Sequence, residues 1–564
     1  MRIIELGKVK LPIVYIAITF LFSSLYYRYF DRDFWLAIIL VSLLFLWIFL
    51  KEGFQFFIFI LSIFFIGILT NINYYNLNVK GYENIIIERI YSYGGIGKIN
   101  NRKIYLKGKL QGVKEGYEII AKGKFKKDIN KEKGIIGEYK IEKLKIKENS
   151  IFTKLSNIKE EFKRKLEENI GYRKSGLITS IVFGRDSNLG NEDEEYMKRF
   201  GIIHALSVSG LHIGIIFLIF KKIFNEKISL GFTLIYVFMT GMAFSSIRAF
   251  IMLLFSNLGF ILRKKYNPIG GIAVSSIIIF FMSPYCIFNI GFLLSFGATL
   301  GILLYNKGLN RKLYKLPNFL RGVVSISISA QIFTLPLLII FFNEFSLGFI
   351  VGNIILIPLI NLILVVGVFS IFIVKIPSIF DFFSFVLKVI VNTLDEITEF
   401  LLDFIPEIFS INEYYAYFYI VLLLCYYLYR NGMAKAIFLP IFYIMYICID
   451  LYSFYPKIIY RNEGSLVISH KGDRVALTNE NININKLKNK TLSFRAYRDF
   501  EKIRIKEDSW IIKEDKNYIL NFNGTNYYLN INGLNKKDIK YDIINFKENE
   551  AREIIILNND LLIK

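Results

Sequence analysis

Hydrophobic runs of about 20 residues alternate with short charged segments along most of the chain, which predicts a series of membrane-spanning helices. The run at 228–262 is too long for one span and predicts two. The first run follows MRIIELGKVK and lacks a small-residue cleavage site, so we interpret it as a retained span. The apolar runs lie at 11–27, 34–50, 54–70, 201–220, 228–262, 269–283, 286–305, 321–342, 346–374, 413–429 and 435–453.

Two polar blocks interrupt this pattern. Residues 76–150 alternate apolar and lysine residues between glycines, and roughly five short strands predict a small barrel or sandwich there. Residues 456–564 contain short apolar stretches such as GSLVISH and NYILNF, which predict a second β-rich region. The predicted fold class is therefore a polytopic α-helical membrane protein of roughly 10–12 spans, with a small β-domain in the N-terminal loop and a short C-terminal β-rich domain.

These boundaries predict five domains. Residues 1–75 carry N-terminal spans, 76–150 form the β-domain, 151–175 an amphipathic helix, 176–455 the main transmembrane domain and 456–564 the C-terminal domain. In the amphipathic helix one face is apolar and the other is charged, so we expect it to lie on the membrane surface or on a neighbouring domain. Its apolar stripe comprises Ile151, Leu155, Ile158, Phe162, Leu166 and Ile170.

Composition supports a membrane protein and limits the other classes. Hydrophobic residues make up 54% of the 564 positions and the mean hydropathy is +0.43, which excludes an ordinary soluble enzyme. The net charge of +23 is weak evidence for nucleic-acid binding, because the abundance of Ile, Lys, Asn, Tyr and Phe suggests an AT-biased coding sequence. The three cysteines lie in apolar runs, and His470 is the one histidine of the C-terminal block, so we predict no disulfide framework, no metal site and no cofactor.

Loop charge predicts the orientation in the membrane. If the N-terminus is cytoplasmic, three spans place 76–150 outside, and the basic segments 221–227, 263–266 and 306–315 fall inside. Residues 378–405 carry several acidic side chains and are either interfacial or a further span. If they form a span, the C-terminal block lies outside.

The β-domain combines positive charge with aromatic side chains. Between 76 and 150 there are 18 Lys and Arg against nine Asp and Glu, a net charge of +9. Such a surface suits single-stranded nucleic acid through phosphate pairing and base stacking, whereas the alternative is a solvated β-domain whose aromatic residues form its core. The candidate DNA-binding residues are Arg102, Lys103, Lys107, Lys109, Lys122, Lys124, Lys126 and Lys127.

Polar residues also lie at membrane depth, most densely in HALSVSGLH at 204–212. Polar groups in a bilayer normally face a protein interior or a water-filled path, and small residues permit a broken helix that exposes anion-binding N–H groups. A conduit for an anionic polymer, a helix-packing seam and an intramembrane hydrolase all remain open from these residues alone. The candidate path residues are His204, Ser207, Ser209, Gly210, His212, Gly214, Arg248, Gln331 and Asn353.

Four stretches in order resemble the ComEC family of competence proteins, the inner-membrane channels that bring single-stranded DNA into bacteria during natural transformation. HALSVSGLHIGI resembles the most recognisable motif of that family, and SSIRAFIM resembles its Arg-Ala helix start. NIGFLLSFGATLGILL resembles its Gly-Phe-x-Leu-Ser-Phe segment, and ISAQIFTLPLL followed by GNIILIPL resembles its later Gln, Asn and Pro run. The resemblance covers about 170–375 closely and 1–170 in layout.

The resemblance implies an OB-like fold for 76–150 and a multi-pass protein in the bacterial inner membrane. It implies single-stranded DNA and membrane lipid as ligands, an external DNA receptor, and a cytoplasmic helicase-like ATPase that drives transport, since the chain has no phosphate-binding Walker loop. A homo-oligomer is left open. We predict a channel without catalytic residues, and the alternative is a secondary transporter for a small anionic substrate.

Two features depart from the family pattern. The order Gly184-Arg185-Asp186 replaces the usual Gly-Asp-Arg. The chain also lacks a His-x-His-x-Asp-His motif, and its C-terminal block is shorter than the metallo-β-lactamase-like domain of many members. If one DNA strand is degraded during uptake, another protein must therefore do it.

Overall fold

The computed structural model describes residues 11–77, 79, 81–184, 189–206, 208–461, 464–480, 483–498, 500–506, 509–514, 517–531, 541–546, 551–557 and 560–564. The chain forms two units. The first comprises Met1–Thr334 and Ser346–Glu407, and the second comprises Leu335–Phe345 and Ile408–Lys564.

Helices form most of the predicted apolar runs. The helices are α1 Pro12–Tyr29, α2 Phe34–Glu52, α3 Phe54–Tyr75, α4 Ile151–Ile170, α5 Tyr172–Phe183, α6 Asn191–Arg199, α7 Gly210–Ile223, α8 Glu226–Met239, α9 Phe244–Ile261, α10 Pro268–Met282, α11 Ile290–Lys312, α12 Asn318–Phe342, α13 Phe349–Val351, α14 Ile357–Phe372, α15 Pro377–Leu402, α16 Glu413–Arg430, α17 Leu439–Tyr452 and α18 Ile484–Thr491. A π-helical turn at Gly352–Leu356 joins the short helix α13 to α14, and together they form one span.

Eight helical stretches in the described residues are long and apolar enough to cross a membrane. They are α2, α3, α9, α11, α12, the span 349–372, α15 and the stretch 434–452 that contains α17. The other predicted runs form α1, α7, α8, α10 and α16, which are shorter or less apolar. The predicted class of multi-pass helical membrane protein is therefore confirmed, and the run at 228–262 does contain two helices.

The run at 201–220 is not one continuous helix. A single 3-10 turn forms at Ile203–Ala205, and α7 begins only at Gly210. Helix α12, in contrast, continues through Pro336 from Asn318 to Phe342. The described polar residues of 204–209 therefore precede helix α7 and do not lie within it.

The β-domain is a closed five-stranded barrel. Its strands are β1 Tyr82–Tyr91, β2 Gly94–Ile99, β3 Arg102–Lys107, β4 Glu118–Asn130 and β5 Ile135–Ile146. They follow the order β1-β2-β3-β5-β4, and all pairs are antiparallel except β3 with β5, which is the arrangement of an OB-like barrel. Alternating apolar residues such as Ile85, Ile104 and Ile119 fill its interior.

One end of the barrel is fixed to the membrane helices. The Tyr74 hydroxyl on α3 donates to the Gly134 carbonyl at 3.0 Å, and Lys131 pairs with Asp31 after α1 at 2.5 Å. Asn101 in the β2–β3 turn donates to the Met282 carbonyl at the end of α10, at 3.1 Å. The β4–β5 turn and the β2–β3 turn therefore face the membrane domain.

Helix α4 lies where the amphipathic helix was predicted, but its buried face differs from the predicted stripe. Ile151 is 73% exposed, whereas Thr153 and Ser156 are buried. The Thr153 hydroxyl accepts from the Glu118 N–H at 3.2 Å, and Ser156 donates to the Glu115 carbonyl at 2.6 Å, so this half packs on the barrel through hydrogen bonds. The second half, with Phe162, buries its apolar residues in the core of the membrane helices, and Leu155 of the first half packs against the same core. The helix also ends at Ile170, before the predicted boundary at 175.

The second unit contains the C-terminal β-rich domain, as predicted. Its strands are β6 Glu344–Phe345, β7 Phe409–Ser410, β8 Lys457–Arg461, β9 Ser465–His470, β10 Asp473–Thr478, β11 Arg495–Tyr497, β12 Lys502–Lys506, β13 Ser509–Glu514, β14 Asn517–Phe522, β15 Thr525–Asn530, β16 Asp542–Asn545, β17 Glu553–Ile556 and β18 Leu561–Ile563. Two sheets have the strand orders β11-β10-β9-β8-β17-β18 and β12-β13-β14-β15-β16, and one core, which includes Ile458 and Tyr518, holds side chains from both. A third, two-stranded sheet pairs β6 with β7.

Candidate functional site

The start of α7 is organised by a capping box between Ser209 and His212. The Ser209 N–H donates to His212 Nδ1 at 3.2 Å, and the Ser209 hydroxyl, which accepts from the His212 N–H, lies 2.8 Å from the same Nδ1. Because Nδ1 accepts a hydrogen bond, the neutral ring carries its proton on Nε2. Nε2 is buried and has no partner among the described residues.

Arg248 lies in the second turn of α9 with only 7% of its surface exposed. Its Nε donates to the Ser295 hydroxyl at 3.0 Å and its Nη1 donates to the Thr299 hydroxyl, both on α11. The guanidinium also lies over the Phe296 ring, 5.8 Å from the centroid. A buried arginine in a membrane protein needs partners, and here neutral hydroxyls and a ring supply most of them.

Gly210 brings α7 and Arg248 together. A Cβ atom at position 210 would lie 3.0 Å from Arg248 Nη2, so the guanidinium rests directly against the first residue of the helix. Ser245, one turn before Arg248, donates to the Val208 carbonyl at 2.5 Å and fixes the preceding loop to α9. Four predicted path residues, Ser209, Gly210, His212 and Arg248, are therefore adjacent.

No side-chain hydrogen bond joins His204 or Gly214 to this cluster among the described residues. His204 is exposed on the 3-10 turn but lies near enough to His212 for the two rings to interact electrostatically, and a Cβ at Gly214 would meet open space. Ser207 lies outside the described residues, as do Arg185 and Asp186. Their predicted roles stay predictions.

Gln331 and Asn353 each make a polar contact of their own. Asn353, in the π-helical turn, donates to the Ser327 hydroxyl on α12 at 2.9 Å, and Thr334 donates to Gln331 Oε1 at 3.1 Å. Within the described residues, no hydrogen bond connects either amide to Arg248 or to the start of α7. Asn353 therefore joins the span 349–372 to α12, whereas Gln331 contacts a residue of its own helix.

A glycine contact that sequence reasoning missed holds the loop before α7. Gly201 has φ of +62°, and a Cβ there would lie 2.8 Å from the Phe349 Cβ. Cβ atoms at Gly348 and Gly352 would lie 2.5 Å from the carbonyl oxygens of Arg199 and Phe200. The spacing GFIVG in the sequence is the signal that could have predicted this close approach.

In the barrel, four of the predicted basic residues already have protein partners. Arg102 donates to the Asn76 carbonyl at 2.9 Å, and Lys103 lies 4.9 Å from the centroid of the Tyr285 ring. Lys107 pairs with Glu138 at 2.5 Å, and this hydrogen bond raises the pKa of Lys107. Lys122 lies 5.4 Å from the centroid of the Tyr82 ring.

The remaining predicted lysines are exposed, and no hydrogen bond or ion pair engages them within the described residues. They are Lys109, Lys124, Lys126 and Lys127. Strand pairing brings β4 lysines opposite lysines of β5: Lys122 faces Lys143, and Lys124 faces Lys140.

Like charges directly opposite each other destabilise a sheet, so this arrangement has an electrostatic cost that an anionic ligand would relieve. We call the set Lys122, Lys124, Lys140 and Lys143 the lysine ladder. Lys140 and Lys143 were not among the candidates, because the sequence does not give the register that places them there.

Half-buried carboxylates elsewhere in the barrel are matched by lysines. Burial alone would raise the pKa of Glu88, but Lys98 and Lys103, whose ammonium groups lie 2.5 and 3.7 Å from it, hold the pKa below its usual value. Likewise, burial alone would raise the pKa of Glu118, but hydrogen bonds from Lys147 and Ser150 lower it. The ladder differs from these sites in having no matching acid among the residues that the structure describes.

The aromatic residues of the barrel separate into two groups. Tyr139 is fully buried in the core, and Tyr117 donates to Asn157 on α4 at 2.6 Å. Tyr93 is 87% exposed and Tyr91 is 46% exposed, both at the β1–β2 turn. This turn lies at the end of β2 opposite the docked β2–β3 turn, where bases could stack.

The described residues of the C-terminal domain bring no set of metal ligands together. No group of three or more His, Cys, Asp or Glu residues is placed to hold a metal ion in the described residues of the chain. Burial and the neighbouring Lys471 and Lys506 lower the pKa of His470.

Comparison with known proteins points to one family. Residues 181–431 match the family model described as competence protein. The chain is 28% identical over 193 residues to ComE operon protein 3 of Bacillus subtilis, which covers 33% of this chain and 24% of that protein. It is 23% identical over 230 residues to Recombination protein 2 of Haemophilus influenzae, covering 36% and 29%.

An uncharacterized protein of Aquifex aeolicus is 33% identical over 154 residues, covering 26% of this chain and 37% of that protein. The matched segments thus span between a quarter and just over a third of these relatives. No solved structure matches the chain. The family match includes the start of α7, Arg248, Gln331 and Asn353.

Proposed function

Because this chain is a ComEC-family competence protein, we propose that it carries single-stranded DNA across the inner membrane of a bacterial cell during natural transformation. The barrel captures the strand outside the membrane. The membrane domain then conducts it, entering beside the α7 start and Arg248.

The observation that carries the proposal is the lysine ladder. Its four lysines are exposed, form no ion pair among the described residues, and occupy positions of β4 and β5 that lie directly opposite each other. A phosphodiester backbone supplies a row of single negative charges, and neutralising it releases counterions from the strand. The exposed Tyr91 and Tyr93 add surfaces for base stacking.

The barrel and the basic segments lie at opposite ends of the membrane helices, and this arrangement supports transport from the outside to the inside. The barrel docks where α10 ends and α11 begins, since Asn101 bonds to Met282 and Gly134 rests on Tyr285. The basic segment 263–265 follows the end of α9, and the basic segment 307–315 forms and follows the last turns of α11, both at the ends opposite the barrel. The positive-inside rule assigns those segments to the cytoplasm, and the barrel then lies outside.

The proposal leaves the driving force to a partner. The sequence lacks a Walker phosphate loop, so a cytoplasmic helicase-like ATPase would pull the strand, and an external receptor would deliver it. Membrane lipid surrounds the apolar helices. The proposal applies to a monomer and to a homo-oligomer alike.

A secondary transporter for a small anion is the second candidate. One observation favours it: among the described residues, Arg248 is the buried cation at the α7 start, and one cation would suffice for one small anion. The two candidates differ at the barrel, because a small-anion transporter has no need of the lysine ladder.

The test combines uptake and binding. Deleting the gene in a transformable host should abolish entry of labelled DNA into a DNase-protected state. Purified full-length protein should bind a fluorescent oligonucleotide. Replacing all four ladder lysines with Gln should weaken binding. It should also reduce the slope of the log binding constant against log salt concentration by roughly 3, since each phosphate contact contributes about 0.7.

The matched control replaces the same four lysines with Arg, which keeps the charge and should keep the salt slope. Unchanged protected DNA after gene deletion would remove the uptake function. Oligonucleotide binding that ignores the Gln substitutions would remove the ladder from the capture surface, and anion flux without DNA binding would favour the transporter.

A further inference from the structure

The guanidinium of Arg248 is only partly satisfied. Its Nε and Nη1 donate to Ser295 and Thr299, and Nη1 also lies 3.9 Å from Met252 Sδ. No partner for Nη2 lies among the described residues. Nη2 points at the first residue of α7, since it would lie 3.0 Å from a Cβ at Gly210.

The charge of Arg248 is also uncompensated. Within the described part of the chain, no Asp or Glu forms an ion pair with it. A buried charge without an opposite charge is costly, and hydroxyl partners offset only part of that cost. The site therefore favours a ligand with a single negative charge.

The start of α7 supplies further donors at the same place. Ser209 satisfies the His212 N–H through the capping box, but the N–H groups of Gly210 and Leu211 have no acceptor among the described residues. This helix has 14 residues, so its N-terminal N–H groups carry the partial positive charge of the helix dipole. His212 Nε2 is a further donor without a partner in the same turn, within the described residues.

We propose that Arg248 Nη2 and the N–H groups of Gly210 and Leu211 form a binding site for one phosphodiester group of a nucleic-acid strand. One unesterified oxygen accepts from Nη2 and the other from the helix N–H groups. The single negative charge of the diester matches the single uncompensated positive charge of Arg248. This inference rests on the proposed function, because it names the atoms that receive the strand inside the membrane domain.

The glycine at 210 has a specific role at this site. A methyl group there would lie 3.0 Å from Nη2, which is closer than ordinary van der Waals contact, so the guanidinium would have to shift away from the helix start. Gly214 lies one turn later on the same helix, and a Cβ there would meet open space. The two glycines therefore provide a matched pair of Ala substitutions.

The experiment measures binding of a dithymidine with one phosphodiester linkage to full-length protein in uncharged detergent. Its methylphosphonate analogue has the same bases and sugars without the charge. The diester should raise the melting temperature of the wild type and of Gly214→Ala by mass action, and the analogue should not. Arg248→Gln should weaken binding about 10-fold or more, because it removes a charge-assisted hydrogen bond. Gly210→Ala should give a smaller loss in the same direction.

Equal binding of the methylphosphonate, or wild-type affinity in both Arg248→Gln and Gly210→Ala, would overturn the site. If Arg248→Gln does not fold, Gly210→Ala against Gly214→Ala decides alone. Stabilisation by phosphatidylglycerol vesicles but not by the dithymidine would assign the site to lipid and overturn the nucleic-acid assignment.

Failure of this site is distinguishable from failure of the proposed function. If gene deletion leaves DNA uptake unchanged while Arg248→Gln still loses dithymidine binding, the site stands and the uptake function falls. If deletion abolishes uptake while the variants bind the dithymidine like the wild type, the reverse holds.

Discussion

The docking of the barrel onto the membrane helices depends on the absence of a side chain at Gly134. Its φ of +70° lies in the left-handed region, and a Cβ there would lie 2.5 Å from Cε1 of Tyr285 and closer still to Cγ and Cδ1. Tyr285 is 3% exposed and packs against Tyr74 and Phe244 at ring-centroid distances of 5.7 and 6.2 Å, so its ring has little room to retreat.

Gly112 is the matched control for Gly134→Ala. Its φ of +71° is almost the same, and a Cβ there meets nothing within 4 Å. Both substitutions carry the same left-handed strain of about 1–2 kcal/mol and the same loss of unfolded-state entropy. The difference between them isolates the clash with Tyr285, which should destabilise the docked barrel by about 1–3 kcal/mol, the usual cost of overpacking.

Hydrogen exchange of the full-length protein in detergent measures this difference locally. Gly134→Ala should raise exchange in the β4–β5 turn and in residues 283–288, whereas Gly112→Ala should leave both at the wild-type level. A double substitution with Tyr285→Ala should be less destabilised than the sum of the single changes, because the ring that clashes is gone. Equal exchange in the two glycine variants would refute the role of Gly134 in docking.

Three further predictions concern other contacts. Glu118→Gln should lower the melting temperature at pH 7 but not at acidic pH, as parallel thermal melts of both proteins would show. The pKa of Glu118 in the folded protein is below the usual value of about 4.3. The stabilisation from this carboxylate is therefore present above that value and is lost as the pH falls through the folded pKa. Gly201→Ala should destabilise the fold by about 1–3 kcal/mol more than Gly241→Ala, because both glycines have positive φ but only a side chain at 201 meets Phe349. An equal loss of unfolding free energy in denaturation of the two variants would contradict this. Phe296→Leu removes the ring under Arg248 and should cost about 0.5–2 kcal/mol of thermal stability without changing oligonucleotide capture by the barrel.

The architecture was largely predictable because segments that lie in lipid must be apolar over about the thickness of the bilayer. Runs near the length of a bilayer span became helices, and the alternating lysine-rich block became a barrel. Helix α4 shows where such patterns fail. Its apolar stripe predicts one buried face, yet Ile151 is exposed while Thr153 is buried, because the first half of the helix packs on backbone groups of the barrel that require hydrogen-bonding partners.

The candidate sites were predictable in composition but not in detail. Lysine content indicated a basic barrel, yet only the fold shows that Lys107 pairs with Glu138 whereas Lys124 forms no ion pair among the described residues, although both lie opposite Lys140. In the membrane domain, the sequence singled out Arg248 and the residues before α7. Ser295 and Thr299 lie on another helix, and their positions decide which nitrogen of that arginine has no partner among the described residues. No local pattern in the sequence encodes those positions.

The two proposed sites are linked by the placement of one hairpin. The β4–β5 turn is held against Tyr285 through Gly134, while the strands on either side of that turn carry the lysine ladder. Tyr285 in turn packs on Phe244, the first residue of α9, and Arg248 lies four residues further along that helix, about 6 Å deeper. The same hairpin thus connects the ladder to the entrance proposed at Arg248, and loosening the docked turn should weaken transfer between the two sites even where each still binds. This is why Gly134→Ala should reduce DNA uptake more than it reduces binding of an oligonucleotide to the barrel.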